Sequence, residues 1–144
     1  MSPTRLTKPR TTDHAAPTFE PTMRAVVYRR YGPPEVLGLE DVPTPAPRDG
    51  EVLVRVRAVA VTAADAALRA GVPFAARLAA GVRRPRLRIL GSEVVGEISA
   101  IGPGVTGWQV GDRVAGAAGA AMGGYAEHVR LAALGLARVP PALG

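Results

Sequence analysis

Closely spaced glycines between residues 91 and 119 constrain the fold of this chain more than any other feature. The segment reads "GSEVVGEISAIGPGVTGWQVGDRVAGAAG", and none of its glycine-free stretches is longer than five residues. Short runs rich in β-branched residues between glycines indicate strands joined by tight turns. The segment therefore predicts several short strands, as in a small barrel or sandwich.

The letters "GPGVTG" from Gly102 to Gly107 match the G-x-G-x-x-G pattern of a dinucleotide-binding turn. Such a turn needs a helix at its third glycine, because helix N–H groups must face the pyrophosphate. Here a second turn begins at Gly111, and Pro103 removes one N–H group from the loop. We interpret the glycines as a turn between strands and predict no cofactor-binding residue. Glu127, which lies twenty residues after Gly107, is interpreted as a strand residue at a coincidental spacing.

Three further segments predict strands. They are "RAVVYRRY" (24–31), "EVLVRVRAVAV" (51–61) and "YAEHVRL" (125–131). The second alternates, so we expect a half-buried strand with one apolar face and one face of mixed character. The apolar face comprises Val52, Val54, Val56 and Ala58, and the other comprises Leu53, Arg55 and Arg57.

Two short helices are expected between the strands. Thr62 can cap the first, with Asp65 as the acidic partner three residues later, and Gly71 can end it. The second is predicted in "FAARLAAG" (74–81).

Composition narrows the class of protein. The chain has 144 residues, enough for one domain with a core. It has no cysteine, which fits a reducing compartment, and we expect a cytoplasmic protein.

The apolar segments are too short or too charged for a membrane span. Residues 1–22 are rich in Pro, Thr and charge, and predict a flexible tail with no secretory signal.

The net charge of +6 raises the question of an anionic partner. Arg83, Arg84, Arg86 and Arg88 cluster in "RRPRLR". No aromatic platform or nucleic-acid motif accompanies them, so we favour a solvated loop over a nucleic-acid interface. His14 lies in the tail, and His128 is interpreted as an exposed strand histidine rather than a base.

The segments quoted above resemble the N-terminal domain of medium-chain dehydrogenases/reductases. The resemblance covers residues 23–144 and includes "MRAVVYRRYGPPEVLGLEDVPTPAPRDGEVLVRVRAVAV", "GGYAEHVRL" and the glycine segment. Its most specific run is Gly91, Glu93, Gly96, Gly102, Gly104, Val105, Gly111, Asp112, Arg113 and Val114. The resemblance implies a mainly β fold with short helices, the GroES-like partly open β-barrel.

Within that family, the chain is similar to the zinc-free quinone oxidoreductases. Zinc alcohol dehydrogenases carry a cysteine where this chain has Thr62 and a histidine where it has Ser92. Neither hydroxyl competes well for zinc, so we predict no metal site. The resemblance implies NADPH as the hydride donor of the complete enzyme. It implies a small-molecule acceptor, a quinone or an activated carbonyl or enone.

The resemblance places Thr62, Ser92 and Tyr125 as candidate residues lining the catalytic cleft. The quinone reductase branch commonly has asparagine at the position of Thr62. Each candidate also has a structural interpretation: Thr62 as a helix cap, Ser92 as a small residue beside a glycine turn, and Tyr125 packed on one face of a strand.

The family places a Rossmann nucleotide-binding domain after this one, and no such pattern remains before residue 144. We therefore expect the chain to be inactive alone and to bind no NADPH by itself. A separate nucleotide-binding chain or a homo-oligomer would be its partner. The alternative is a stand-alone GroES-like module that binds or assembles without enzymatic activity.

Overall fold

The computed structural model describes residues 20–142. The predicted tail (1–22) falls almost entirely outside the described residues, as does His14. The described part matches the expected mainly β class, and its strands form two open antiparallel sheets.

Seven strands are present among residues 20–142. They are β1 (Thr22–Tyr28), β2 (Leu37–Pro43), β3 (Glu51–Val59), β4 (Glu93–Ile101), β5 (Arg113–Ala117), β6 (His128–Ala132) and β7 (Ala137–Arg138). β1 and β2 form a hairpin, and the other five form a sheet in the order β6-β3-β4-β5-β7. Every pairing is antiparallel.

The segment before β6 links the two sheets. Val26 N–H donates to the Tyr125 carbonyl at 2.8 Å, and Glu127 N–H donates to the Arg24 carbonyl at 3.1 Å. Ala25 and Ala126 form an isolated bridge between these bonds. The two sheets are thereby joined at one side while their other edges stay apart, which confirms the partly open β-barrel.

The main core lies on one face of the larger sheet. Seven buried side chains pack together there, contributed by β3, β4, β5 and β6. They are Val52, Val54, Val94, Ile98, Val114, Val129 and Leu131. Aliphatic residues in strands stabilise such a sheet because burial removes their apolar surface from water.

The strict alternation predicted for β3 is wrong at its start. Leu53 is as fully buried as Val52 and Val54, although it belongs to the face expected to be mixed. A register shift against β4 falls between Leu53 and Val54, and such bulges interrupt the two-residue period. On the face expected to be mixed, Arg55 is the first exposed residue. Ala58 was expected on the apolar face but is exposed.

Two helices occur between β3 and β4, as expected. The first, α1, spans Ala63–Ala70 and ends at Gly71, whose φ of 69° is left-handed. The second, α2, spans Ala76–Ala80. Among the described residues, no helix is long and apolar enough to cross a membrane.

All three predicted strands differ from the structure at their ends, and β3 stops at Val59 rather than at residue 61. β1 stops at Tyr28 rather than at residue 31. β6 begins at His128, so Tyr125 and Glu127 precede the strand instead of lying within it. The interpretations of Tyr125 as a residue on a strand face and of Glu127 as a strand residue are therefore wrong. Both residues take part in the connection between the sheets.

Candidate active site

Thr62 begins helix α1 with a capping box. Its backbone is extended, and its hydroxyl oxygen accepts a hydrogen bond from Asp65 N–H at 3.3 Å. The Asp65 carboxylate in return accepts from Thr62 N–H at 2.8 Å. The capping interpretation of Thr62 is confirmed, and its role in catalysis stays a prediction.

The carboxylate of Asp65 is the centre of a larger network. It is buried and also accepts a hydrogen bond from the Thr62 hydroxyl at 2.8 Å. Its second oxygen accepts from Gly91 N–H at 3.0 Å, across 26 positions of sequence. One side chain thus fixes the start of α1 against the loop that precedes β4.

The network keeps Asp65 ionised. Burial by itself would raise the pKa of this carboxyl, because the interior disfavours charge. The hydrogen bonds from Thr62 and Gly91 outweigh that effect, and the pKa is lowered from its ordinary value. At neutral pH the site therefore contains a buried negative charge held by N–H and O–H donors.

Tyr125 packs directly on Gly91. A β-carbon at Gly91 would lie 2.6 Å from Cδ1 of the Tyr125 ring, and the Gly91 φ of 86° also favours glycine. The glycine therefore allows the ring to approach the backbone that Asp65 holds.

The hydroxyl of Tyr125 is buried and has no hydrogen-bond partner within residues 20–142. Burial and then the nearby charge of Asp65 raise the pKa of Tyr125 to about 12. The phenol therefore keeps its proton at neutral pH. It can donate a hydrogen bond but cannot act as a base there.

Ser92 follows Gly91 directly and is partly buried. Its carbonyl accepts from Ala118 N–H at 2.6 Å, which ties the loop to the end of β5. The structure thus brings Thr62, Ser92 and Tyr125 to one place, around Asp65 and Gly91.

The donor set at this place does not fit zinc. The Thr62 and Ser92 side chains offer hydroxyls rather than thiolate or imidazole, and the Thr62 hydroxyl is bound to Asp65. Within residues 20–142, no three His, Asp or Glu side chains are grouped so that they could hold a metal ion.

An open, mostly apolar groove of about 690 Å³ adjoins the cluster. Tyr125 and Val59 line it from one side, and Leu37 and Leu39 of the hairpin line it from the other. Val61, the neighbour of Thr62, also lines it and is 81% exposed. The cluster is therefore continuous with apolar surface large enough for a small organic molecule.

The glycine turn from Gly102 to Gly107 lies between β4 and β5, as expected. A β-carbon at Gly102 would collide with the Arg48 carbonyl, so the turn packs against its own chain. Arg138 donates to the Gly107 carbonyl at 2.6 Å and lies 4.5 Å from the centre of the Trp108 ring. The element that follows the turn directly is strand β5 rather than a helix, which confirms the interpretation as a turn between strands.

Sequence reasoning identified Asp65 only as a capping partner. The T-x-x-D pattern predicts the interaction of Asp65 with Thr62, because a capping box spans only four residues. Its bond to Gly91 has no local signal, since it depends on how α1 docks against a distant loop.

The chain matches the Alcohol dehydrogenase GroES-like domain family over residues 48–141. It is 38% identical over 117 residues to a quinone oxidoreductase of Pseudomonas aeruginosa, covering 81% of this chain and 33% of the relative. It is 36% identical over 113 residues to the human quinone oxidoreductase, covering 77% of this chain and 32% of the relative.

Solved structures agree with this similarity. The quinone oxidoreductase of Coxiella burnetii superimposes with a TM-score of 0.74 at 31% identity, covering 85% of this chain and 38% of that one. A mycobacterial protein solved in complex with NADPH superimposes with a TM-score of 0.68 at 34% identity, covering 85% of this chain and 34% of that one.

These comparisons concern one region of larger proteins, because the chain spans about a third of the length of the curated relatives it matches. The family match covers more than half of the chain and includes β3 to β7. The chain belongs to the Alcohol dehydrogenase GroES-like domain family, in the quinone oxidoreductase-like part of the medium-chain dehydrogenases/reductases.

Proposed function

We propose that this chain is the substrate-side domain of a zinc-independent, NADPH-dependent oxidoreductase that reduces quinones or activated carbonyls and enones. The observation that carries the proposal is the Asp65 network, which binds Thr62 and Gly91 in a domain similar to those of quinone oxidoreductases. Gly91 directly precedes Ser92 and packs against Tyr125. A buried, fully hydrogen-bonded carboxylate holds such a site rigid, as catalysis requires.

In this proposal, two of the three candidate residues position the site and the third contacts the acceptor. The Thr62 hydroxyl donates to Asp65, so Thr62 is a positioning residue. The Tyr125 hydroxyl is buried, so Tyr125 also acts by position, through its packing on Gly91. Ser92 is left as the residue whose hydroxyl would donate to the oxygen of an acceptor as negative charge develops there.

The apolar groove beside Tyr125 suits the proposed acceptors. Quinones and enones have flat apolar bodies with a few carbonyl oxygens, and ligand sites are lined mainly by apolar groups with few polar ones. The aliphatic walls formed by Val59, Val61 and Leu39 would hold such a body next to the loop that carries Ser92.

The glycine turn from Gly102 to Gly107 does not fit the diphosphate of NADPH. The one glycine pattern that could suggest a cradle is packed against Arg48 and held by Arg138. NADPH, bound by a nucleotide-binding domain in the same protein or in a separate chain, would supply the hydride. This chain would orient the acceptor and exclude water from it.

The test compares the 144-residue chain alone with the same chain joined to the remaining two-thirds of the Pseudomonas aeruginosa relative. We expect no NADPH oxidation with 1,4-benzoquinone from the chain alone and clear turnover from the joined protein. Turnover by the chain alone, or none by a joined protein that binds NADPH, would contradict the proposal.

A serine substitution tests the site in the joined protein. Ser92→Ala should lower kcat by about 10²-fold if the hydroxyl stabilises the developing negative charge. Ser99→Ala is the matched control, because Ser99 lies on β4 and donates to the Leu53 carbonyl. Equal activities of the two variants would refute the role of Ser92.

Zinc independence has its own measurement. Elemental analysis of the joined protein should find no zinc in stoichiometric amount, and dialysis against EDTA should leave kcat unchanged. A stoichiometric metal whose removal abolishes turnover would overturn this part of the proposal.

The alternative function, a stand-alone binding module without enzymatic activity, is not favoured. The curated relatives that this chain resembles include quinone oxidoreductases.

A further inference from the structure

A separate cavity of about 330 Å³ shares no lining residue with the Thr62, Ser92 and Tyr125 cluster. It is lined by the segment 86–89, the segment 121–123 and the start of β6, together with Met23, Pro45 and Glu51. We call it the β6 cavity.

The β6 cavity has a surplus of positive charge. Arg86, Arg88 and Arg130 line it, and the only acidic lining residue is Glu51. Glu51 is already engaged, since it lies 3.7 Å from Arg130 and accepts from Arg48 N–H at 3.0 Å. The guanidinium of Arg86 makes no hydrogen bond or ion pair with the other residues of 20–142.

His128 also lines the β6 cavity. It is partly buried rather than exposed as expected. Its Nδ1 atom is fully buried without a partner within the described chain, so this atom does not face the open cavity.

The rest of the lining is largely apolar. Met23, Met122, Leu87, Ile89 and Val129 contribute to it. Methionine adapts to irregular shapes, so a wall with two of them can accommodate different apolar bodies.

We propose that the β6 cavity binds a small amphipathic anion, with a carboxylate or phosphate group on a compact apolar body. Arg86 and Arg88 hold the anionic group, because guanidinium pairs with planar or tetrahedral oxyanions through charged hydrogen bonds. The apolar body lies against the methionines. The volume lies at the small end of ligand pockets, so a dinucleotide does not fit.

The test uses the full 144-residue chain carrying ¹³C-methyl methionine. The chain has three methionines and two of them line the cavity, so the methyl NMR spectrum reports on it directly. The probes are phenyl phosphate, benzoate, inorganic phosphate and the uncharged benzamide, each titrated to about 10 mM, beyond the range of a weak specific site.

We expect phenyl phosphate or benzoate to shift the Met23 and Met122 methyl signals with saturation. Arg86→Ala should weaken that binding about tenfold or more, because it removes a charge-assisted contact. Arg83→Ala is the matched control: Arg83 is an exposed arginine of the same cluster that does not line the cavity. The stronger of the two aromatic anions identifies the preferred group.

Four outcomes overturn the proposal. One is the absence of a saturable shift with either aromatic anion. The second is equal weakening by Arg86→Ala and Arg83→Ala, which indicates a diffuse charge effect. The third is an equal response to benzamide, which indicates an apolar pocket without anion selection. A response to inorganic phosphate as strong as that to phenyl phosphate would refute the role of the apolar wall. None of these measurements depends on quinone reduction, so the test is independent of the proposed function.

Discussion

The carboxylate of Asp65 serves two parts of the chain at once. One of its oxygens holds the N-terminus of α1 through Thr62, and the other holds Gly91 in the loop before β4. A buried carboxylate with three donors is stable as an anion, but removal of its charge leaves these donors poorly matched. Stability and site geometry therefore depend on the same side chain.

Asp65→Asn should destabilise the chain by about 2 kcal/mol at pH 7, since hydrogen bonds to the charged form are lost. The folded pKa of Asp65 is lowered, so its contribution is complete above the unfolded pKa of about 4. It is lost as the pH falls through the folded pKa. The difference in unfolding free energy between the variant and the parent chain should therefore shrink below about pH 4.

Urea unfolding at a series of pH values measures this difference. Asp41→Asn is the control, because Asp41 is an exposed aspartate on β2. We expect the control to change stability by no more than about 0.5 kcal/mol at any pH. A pH-independent cost of Asp65→Asn would show that the charge is not what the network stabilises.

The hydroxyl of Thr62 can be tested separately from the carboxylate. Thr62→Ala should cost about 1 kcal/mol, a typical loss for an N-cap, whereas Thr62→Ser keeps the hydroxyl and should cost less. Thermal melting should place the alanine variant roughly 3 °C below the parent. Equal melting temperatures for the alanine and serine variants would contradict the capping role.

At the scale of elements, the turn between β4 and β5 is held by a residue of β7. Arg138 donates to the Gly107 carbonyl at 2.6 Å, lies 2.8 Å from the Asp112 carboxylate and covers the Trp108 ring. Asp112 in turn accepts from Gln109 N–H at 2.9 Å. The short final strand therefore fixes a turn with little regular structure of its own.

Arg138→Ala should lower stability by about 1 kcal/mol, a modest value because the arginine is more than half exposed. It should also shift the emission of Trp108, the only tryptophan, to longer wavelength as the ring loses its cover. Arg57→Ala is the control, because it breaks an exposed pair with Glu97 elsewhere on the sheet. Identical emission from the two variants would contradict the role of Arg138.

Elements with local signals were predictable from sequence. The capping box and Gly71 define α1, and the glycine turn excludes a nucleotide-binding helix because no helix period follows it. The bulge in β3 was not predictable, since it depends on the register with β4. The contacts among Asp65, Gly91 and Tyr125 were also not predictable from sequence, because these residues meet only when distant segments of the chain pack together.

At the scale of the whole molecule, stability depends on how the β1–β2 hairpin is attached to the larger sheet. A two-stranded hairpin is marginal in water unless it packs on something else. Glu127 provides much of the attachment, accepting from Arg24 N–H at 2.9 Å and from the Arg24 guanidinium at 3.2 Å. These contacts flank the backbone bonds that link β1 to residues 125–127.

Glu127→Ala should therefore loosen the hairpin more than the rest of the protein. In hydrogen exchange, the amide of Val26, which donates to the Tyr125 carbonyl, should exchange about tenfold faster than in the parent. The amides that pair β3 with β4 should keep their rates, because that pairing lies within the five-stranded sheet. Glu97→Ala, which removes an exposed ion pair within that sheet, should leave the Val26 amide unchanged. Equal acceleration of all amides by Glu127→Ala would mean that the hairpin and the larger sheet open only together, as one cooperative unit.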